Sequence, residues 1–129
     1  MHPNEALIRA GYDAFVNGDI AGVAGFLHDD VVWHVGGSSR LSGDYKGHGE
    51  LMALFGRLAE YTDGSISIAA RDILTSEDHV IVLTRMSGRR GDRLLEDDGV
   101  AVFRVVDGKA AEVWVFAENQ GTMDSFFEG

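Results

Sequence analysis

The segment VAVFRVVDGKAAEVWVF, residues 100–116, constrains the fold of this 129-residue chain more than any other segment. Apolar residues dominate on both sides of Asp107-Gly108, and an Asp-Gly pair between two strand-like runs predicts a two-residue β-hairpin turn. Similar runs occur upstream, separated by short polar turns. We therefore predict an antiparallel meander of four strands, over residues 65–74, 79–89, 94–106 and 109–116.

Two helical patterns open the chain. Apolar residues recur at helical spacing from Leu7 to Phe15, and Asn4 is the predicted N-cap of this first helix. Asp19 is expected to cap a short second helix, which closes at residues 28–30. The first half of the chain is therefore predicted to begin with two consecutive helices.

Three further segments connect these helices to the meander. Residues 31–35 are rich in β-branched and aromatic side chains and predict a short strand, whereas residues 36–49 are rich in glycine and predict a loop. Residues 51–61 carry one apolar face and predict a third helix. The order of elements predicts an α+β fold in one domain, residues 1–129, with the helices packed on one face of a curved sheet.

The charge and composition of the chain exclude several kinds of protein. Acidic residues outnumber basic ones by 21 to 11, for a formal net charge of −10, so we expect no nucleic-acid partner. The chain has no cysteine, which excludes disulfides and thiol nucleophiles. No segment approaches the ~18 consecutive apolar residues of a membrane span. We therefore expect no membrane partner and a cytoplasmic location.

Three stretches of the sequence are similar to a known family. They are AGYDAFVNGDIAGVAGFLHDDVVWHV, the motif G-x-Y-K-G-H-G-E-L, and VAVFRVVDGKAAEVWVF. Across residues 5–127 they resemble the SnoaL-like branch of the nuclear transport factor 2-like superfamily, which includes ketosteroid isomerase, scytalone dehydratase, limonene epoxide hydrolase and polyketide cyclases. The resemblance implies a cone-shaped, strongly bent mixed sheet wrapped around the three helices. It also implies an apolar pocket inside the cone and dimers through the outer face of the sheet.

The resemblance also indicates where a steroid isomerase would carry its catalytic groups. Its carboxylate base falls at Val35, its phenol at Gly11, and its second acid at Ala101. Tyr12 lies one place from the phenol position, about 100° around a helix. Because none of the three positions carries the required group, we expect no steroid isomerisation.

The other catalytic patterns of the superfamily are also incomplete. The epoxide-hydrolase pattern retains an arginine at Arg85, but Ser87 and Val115 stand where its carboxylates would be. The dehydratase pattern asks for paired histidines, and the middle and late strands contain only His79. Without these groups the resemblance assigns no reaction to the chain.

His34, in the run VVWHVGG, is the first candidate catalytic residue. Side chains alternate along a strand, so His34 faces away from Trp33 and Val35. The resemblance places Val35 on the pocket side, and we therefore expect His34 to face outward. The alternative is a bulge that turns His34 inward, where an imidazole would suit general-base catalysis.

Asp97, in the acidic run 96–98, is the second candidate. Such a run is typical of a solvated strand edge, but alternation from Ala101 places Asp97 on the pocket side, near the mouth. Arg85 is the third candidate, either as the partner of Asp97 or as a surface residue. Residues 28–30 lie close to His34, but no metal-binding spacing is present, so we expect neither a metal nor another cofactor.

The last strand predicts how the protein associates. Trp114 and Phe116 fall on the face opposite the pocket, where two large aromatic side chains are costly unless they are covered. We expect a homodimer through this outer face. The alternative cover is the C-terminal segment, which supplies Met123, Phe126 and Phe127.

The predicted pocket is apolar and therefore suits a small apolar ligand. Its residues are Phe15, Trp33, Val35, Leu54, Phe55, Leu58, Ala101, Phe103, Val113 and Val115. Three functions stay open: a protein that binds an apolar molecule, a cofactor-free isomerase, cyclase or hydrolase acting on a polyketide- or terpenoid-like substrate, and a dimerising accessory module. A filled cone would favour the last of these.

Overall fold

A computed structural model describes residues 2–128, which form four helices and one six-stranded sheet. In chain order the elements are α1 (Pro3–Val16), α2 (Ile20–Phe26), β1 (Leu27–Val35), β2 (Gly43–Lys46), α3 (Gly47–Tyr61), β3 (Ser67–Thr75), β4 (His79–Arg90), β5 (Arg93–Val106), β6 (Lys109–Ala117) and α4 (Gln120–Phe126). The predicted α+β class is confirmed, as is the mixed sheet.

The sheet has the strand order β2-β1-β6-β5-β4-β3. Strands β3 to β6 form the predicted antiparallel meander, and β1 pairs with β6 in parallel, so the first strand lies inside the sheet beside the last one. The hairpin turn is as predicted, because Asp107 and Gly108 both have positive φ, 53° and 73°. Register shifts in β1, β3 and β5 interrupt the regular pairing, and such bulges bend strands.

The first helix begins differently from the prediction. Pro3 is its first residue, a position that favours proline because the missing N–H would have no helical partner there. The cap is the imidazole of His2, whose Nδ1 accepts a hydrogen bond from the Asn4 N–H at 3.0 Å. Asn4 therefore lies inside the helix, where its side-chain amide donates to the carbonyl of Glu77 at 3.0 Å.

Three other elements differ from the prediction. The glycine-rich segment 36–49 contains the edge strand β2, which pairs with β1, and the first turn of α3. Strand β1 begins at Leu27, directly after α2, and a register shift separates Leu27 from Val32. Helix α4 was not predicted; Asn119 caps it by accepting a hydrogen bond from the Thr122 N–H at 3.1 Å.

The helices cover one face of the sheet, here called the inner face, and Phe103 on β5 lies at the centre of the contact. Its side chain is 1% exposed. Its ring contacts Tyr12 of α1, Phe26 of α2 and Trp33 of β1, with centroids 6.1, 6.5 and 6.0 Å apart. One aromatic residue thus joins two helices and two strands. No helix within residues 2–128 has the length and apolar character needed to span a membrane.

Two Gly→Ala substitutions in helices should have opposite effects on stability, because Gly11 lies in the contact between α1 and α2 and Gly56 lies in no such contact. A Cβ at Gly11 would approach the Phe26 ring to 2.8 Å, so Gly11→Ala should lower the free energy of unfolding by about 1–3 kcal/mol. A Cβ at Gly56 of α3 would meet no other atom within 4 Å, so Gly56→Ala should raise it by roughly 0.5–1 kcal/mol. Equilibrium urea unfolding of both variants measures the difference. Equal stability of the two variants would contradict the close α1–α2 packing.

Candidate functional site

A cavity of about 130 Å³ lies between the helices and the inner face of the sheet. All four helices contribute to its wall, together with strands β1, β3, β4, β5 and β6. Its aromatic wall residues include Tyr12, Phe15, Phe26, Trp33, Phe55, Phe103 and Phe127. Small residues form the part of the sheet here called the floor, Gly99, Ala101 and Ala117, and larger ones such as Met86 and Val115 lie beside it. Large rings around a floor of small side chains leave space that the protein itself does not fill.

Nine of the ten residues predicted for the pocket lie in the wall of this cavity. They are Phe15, Trp33, Val35, Leu54, Phe55, Leu58, Ala101, Phe103 and Val115. The tenth, Val113, is fully buried in the core and is not among the wall residues. It pairs with Trp33 on one side and Phe103 on the other, and the larger rings of these neighbours meet at 6.0 Å above it.

The aromatic side chains of the wall hold one another in edge-to-face contacts. Trp33 meets Phe55 at a centroid distance of 5.6 Å and an interplanar angle of 87°. Phe55 in turn meets Phe15 at 5.3 Å and 76°. Because such contacts favour defined ring orientations, this part of the wall is preorganised.

Asp97 is the charged residue of the wall, as strand alternation predicted. Its side chain is only 7% exposed. Its Oδ1 accepts a hydrogen bond from the Asn119 N–H at 3.2 Å, just before α4 begins. Its Oδ2 is buried and has no hydrogen-bond partner among residues 2–128. A buried carboxylate oxygen without a partner is destabilising, which makes Asp97 a candidate functional residue.

Arg85 does not provide that partner. Its guanidinium donates to Asp98 at 3.1 Å and to Glu96 at 3.2 Å, both on the outer face of the sheet. Arg71 also pairs with Asp98, at 2.8 Å. These hydrogen bonds, chiefly the one from Arg85, hold the pKa of Asp98 below its ordinary value. Arg85 is therefore a surface residue and not the hydrogen-bond partner of Asp97.

Tyr12 is a wall residue that the sequence analysis did not select. Burial raises the pKa of its phenol far above the ordinary value, so the hydroxyl stays protonated and can donate a hydrogen bond. A signal was present, because Tyr12 follows Ile8 by four residues and so shares its helix face. The one-residue offset from the phenol position of the isomerases does not remove the phenol from the cavity, because Gly11 and Tyr12 both line it.

His34 lies on the outer face, away from the cavity. Its Nδ1 is 2.6 Å from Asp44 Oδ1 and its Nε2 is 2.7 Å from Glu112 Oε2, so each ring nitrogen meets a carboxylate. Its ring stacks on Trp114 at a centroid distance of 5.6 Å. The hydrogen bonds to Asp44 and then Glu112 raise the pKa of His34. His34 thus lies between two carboxylates on the outer face, an arrangement that favours its protonated form.

The C-terminal segment covers the cavity rather than the outer face of the sheet. Gln120, Met123 and Phe127 belong to the cavity wall. Asp124 fastens α4 to the loop after β1, because it accepts hydrogen bonds from the N–H and the hydroxyl of Ser38, each at 3.2 Å. Helix α4 is thus a cover over one side of the cavity, and Phe116, 53% exposed, is left bare on the outer face.

The described part of the chain shows no cluster of side chains suited to binding a metal ion. Within residues 2–128 no three carboxylate or imidazole side chains come together as a possible metal site. Residues 28–30 and His34, considered in the sequence, do not form such a group. The polar side chains in the cavity wall are Tyr12, Asp97, Ser39, Thr84 and Gln120, of which Asp97 is the acidic one.

Comparison with known proteins adds three findings. The family model described as SnoaL-like domain matches residues 8–113. The uncharacterized protein Rv0034 of Mycobacterium tuberculosis is 26% identical over 122 residues, which are 94% of this chain and 93% of that protein. The solved structure of Bal32a, from a soil-derived mobile gene cassette, is 29% identical and has a TM-score of 0.94, with 98% of this chain and 97% of that chain covered.

A third protein shares the fold at lower identity. TerC, whose structure was determined after co-crystallization with polyporic acid, is 24% identical, with a TM-score of 0.87. The likeness covers 99% of this chain and 100% of that chain. At this level of identity the comparison supports the fold alone.

The two carboxylates around His34 predict how stability depends on pH. A histidine whose pKa is higher in the folded than in the unfolded protein stabilises the fold fully below ~6.5, its unfolded pKa, and loses that contribution as the pH rises through the folded pKa. The free energy of unfolding should therefore fall as the pH rises above about 6.5, and His34→Gln should flatten this slope. Urea unfolding across this range measures both.

Titration by NMR provides the control. The His34 imidazole should titrate above ~6.5, and Glu112→Gln should lower that value because one of the two acceptors for the imidazolium loses its negative charge. A His34 imidazole that titrates below ~6.5 in the native protein would contradict the arrangement.

Proposed function

The chain belongs to the family of SnoaL-like domains, and we propose that it binds a small, largely apolar molecule in the cavity between its helices and its sheet. The cavity itself is the observation that carries this proposal, because aromatic rings surround about 130 Å³ of space. Apolar cavities of ~150 Å³ can hold a benzene ring. The space therefore suits a ligand of about the size of one aromatic ring.

The composition of the floor supports binding over a filled core. A cone that served only as a core would be expected to carry branched or aromatic side chains on its central strands, since empty volume costs stability. Instead Gly99 pairs with Ala117, and Ala101 lies two residues further along β5. The same small floor argues against the accessory module, which needs no cavity.

A second candidate function is catalysis without a cofactor, as in an isomerase, cyclase or hydrolase. One specific observation favours it: Asp97 places a carboxylate in an apolar wall that also holds the Tyr12 phenol. A carboxylate base and a neutral hydrogen-bond donor are the groups that proton transfer beside a carbonyl requires. Under this proposal Asp97→Asn would abolish turnover of a substrate and leave its binding intact, whereas under pure binding no turnover exists to be lost.

Filling the cavity provides the test of binding. Ala101→Phe should put a phenyl ring into the space and weaken the binding of ethylbenzene at least tenfold, because the added ring and the ligand exclude each other. Val102→Phe, the next residue on β5 and on the opposite face, is the matched control and should bind ethylbenzene like the wild type. Ligand-observed NMR measures the three affinities. Absence of ethylbenzene binding in the wild type, or equal binding in all three, would count against the proposal.

We further propose that two copies associate through the outer face. One row of paired residues there runs from Ile81 through Val102 to Trp114. A second row runs from Leu83 through Val100 to Phe116. Ile81, Leu83 and Phe116 are 41%, 39% and 53% exposed. Since α4 covers the cavity and not this face, a second copy is the cover that the chain itself can supply.

A charge placed in the outer patch should separate the copies. Trp114→Glu should convert a wild-type dimer into a monomer in sedimentation velocity, because the carboxylate would lose its water on association. Val16→Glu is the matched control: Val16 is 64% exposed at the end of α1, and its variant should stay dimeric. A monomeric wild type, or a Trp114→Glu variant that remains dimeric, would refute the interface.

A further inference from the structure

Asp97 places a buried carboxyl group with one unpartnered oxygen in the wall of the cavity. The residue is nine-tenths buried, and the only hydrogen bond to its side chain within residues 2–128 comes from the Asn119 N–H. Its Oδ2 is left without a donor. Burial of a charge without a partner is among the most costly arrangements in a protein, and ligands commonly supply the missing partner.

The nearby cations of the chain are engaged elsewhere. Arg85 lies opposite Asp98 on the neighbouring strand β4 and donates to Glu96 and Asp98 on the outer face. Arg71 pairs with Asp98 as well. These hydrogen bonds and ion pairs go to the residues that flank Asp97 in the sequence, and neither guanidinium donates a hydrogen bond to Asp97 itself.

The field around Asp97 favours a positive ligand. Asp97 also lines a shallow cleft together with Glu96, Asp98 and Glu118, and Arg85 is the cation among the wall residues of that cleft. The chain as a whole has a net charge of −10. Such a field attracts cations to the site and repels anions.

The geometry of strand β5 sets the distance between this charge and the apolar floor. Gly99 follows Asp97 by two residues and Ala101 by four, so their Cα atoms lie roughly 7 and 13 Å from that of Asp97 along an extended strand. A ring over Gly99 and Ala101 could therefore carry a short arm that reaches the Asp97 carboxylate. Aromatic rings such as Trp33 and Phe55 stand around the floor and also attract cations through their faces.

We propose that the ligand of this cavity is a small organic ammonium, in which one ring lies over the small floor and a protonated amine on a short arm binds Asp97. This inference rests on the proposed binding function and adds the class of ligand to it. The N–H groups of the ammonium donate charge-assisted hydrogen bonds to the Asp97 carboxylate. The ring of the ligand displaces water from the apolar wall. A hydroxyl would give a weaker bond without charge, and a carboxylate ligand would be repelled.

Four ring compounds of similar size test the proposal on the wild-type protein. Ethylbenzene, benzyl alcohol, benzylamine and phenylacetate share one ring and differ in the end group. Benzylamine at neutral pH should bind at least tenfold more tightly than ethylbenzene and benzyl alcohol, and phenylacetate most weakly, as measured by calorimetry or ligand-observed NMR. Tighter binding of benzyl alcohol or phenylacetate than of benzylamine would overturn the ammonium assignment.

Two neighbouring variants locate the effect. Asp97→Asn should remove the preference for benzylamine over ethylbenzene, whereas Asp92→Asn, the matched control at an exposed residue of the turn between β4 and β5, should retain it. A preference that survives Asp97→Asn would overturn the assignment. If Asp97→Asn fails to fold, a crystal structure of the wild type with benzylamine decides: its nitrogen should lie within hydrogen-bond distance of Asp97, and a nitrogen elsewhere contradicts the proposal.

The same series separates the two proposals. If ethylbenzene binds as tightly as benzylamine, binding in the cavity stands and the ammonium inference is overturned. If no compound of the series binds, the proposed function fails and the inference fails with it.

Discussion

The parallel pairing of β1 with β6 is the constraint on which the rest of the structure depends. It joins segments that are about eighty residues apart, with Trp33 opposite Val113 and Val35 opposite Val115. Once β1 lies inside the sheet, the helices that precede and follow it must pack on the inner face. Trp33 then meets Phe103, the residue that also contacts α1 and α2. Both the core and the cavity therefore follow from one strand placement.

Because side chains alternate along β1, this strand presents apolar residues to the cavity and a charged cluster to the outer face. Trp33 and Val35 point to the apolar cavity, whereas His34 points outward to Asp44 and Glu112. Two features of the inner side lower stability: an unfilled volume above small residues, and Asp97 with an unpartnered oxygen. Destabilising features that occur together in an otherwise well-packed protein indicate a binding site. A ligand that fills the volume and pairs the carboxylate would relieve both.

Strand periodicity made much of the fold and part of the site predictable. The turn at Asp107-Gly108 identified the hairpin of β5 and β6, and alternation put Ala101 and Asp97 on the same face of β5. The resemblance to the SnoaL-like family supplied the expectation that this face is the inner one, and both residues lie in the cavity wall. Local patterns could not reveal features that depend on distant partners. Strand β2 exists because β1 offers it an edge, and α4 because the cavity offers it a surface. The sequence predicted Val113 as a wall residue, and the structure does not have it there. Strand alternation predicts the face on which a residue lies but not whether larger neighbours cover it.

Xenon under pressure tests the central claim most directly, because it requires only that the cavity exist. Xenon enters dry apolar cavities of ~150 Å³ without a chemical requirement. A crystal of the protein held under xenon gas should show an ordered xenon atom between the rings of Trp33 and Phe55 and the floor at Ala101. If the crystal shows the rings of Trp33 and Phe55 packed against Ala101 with no xenon between them, the cone is a filled core. That result would contradict the account of a binding site.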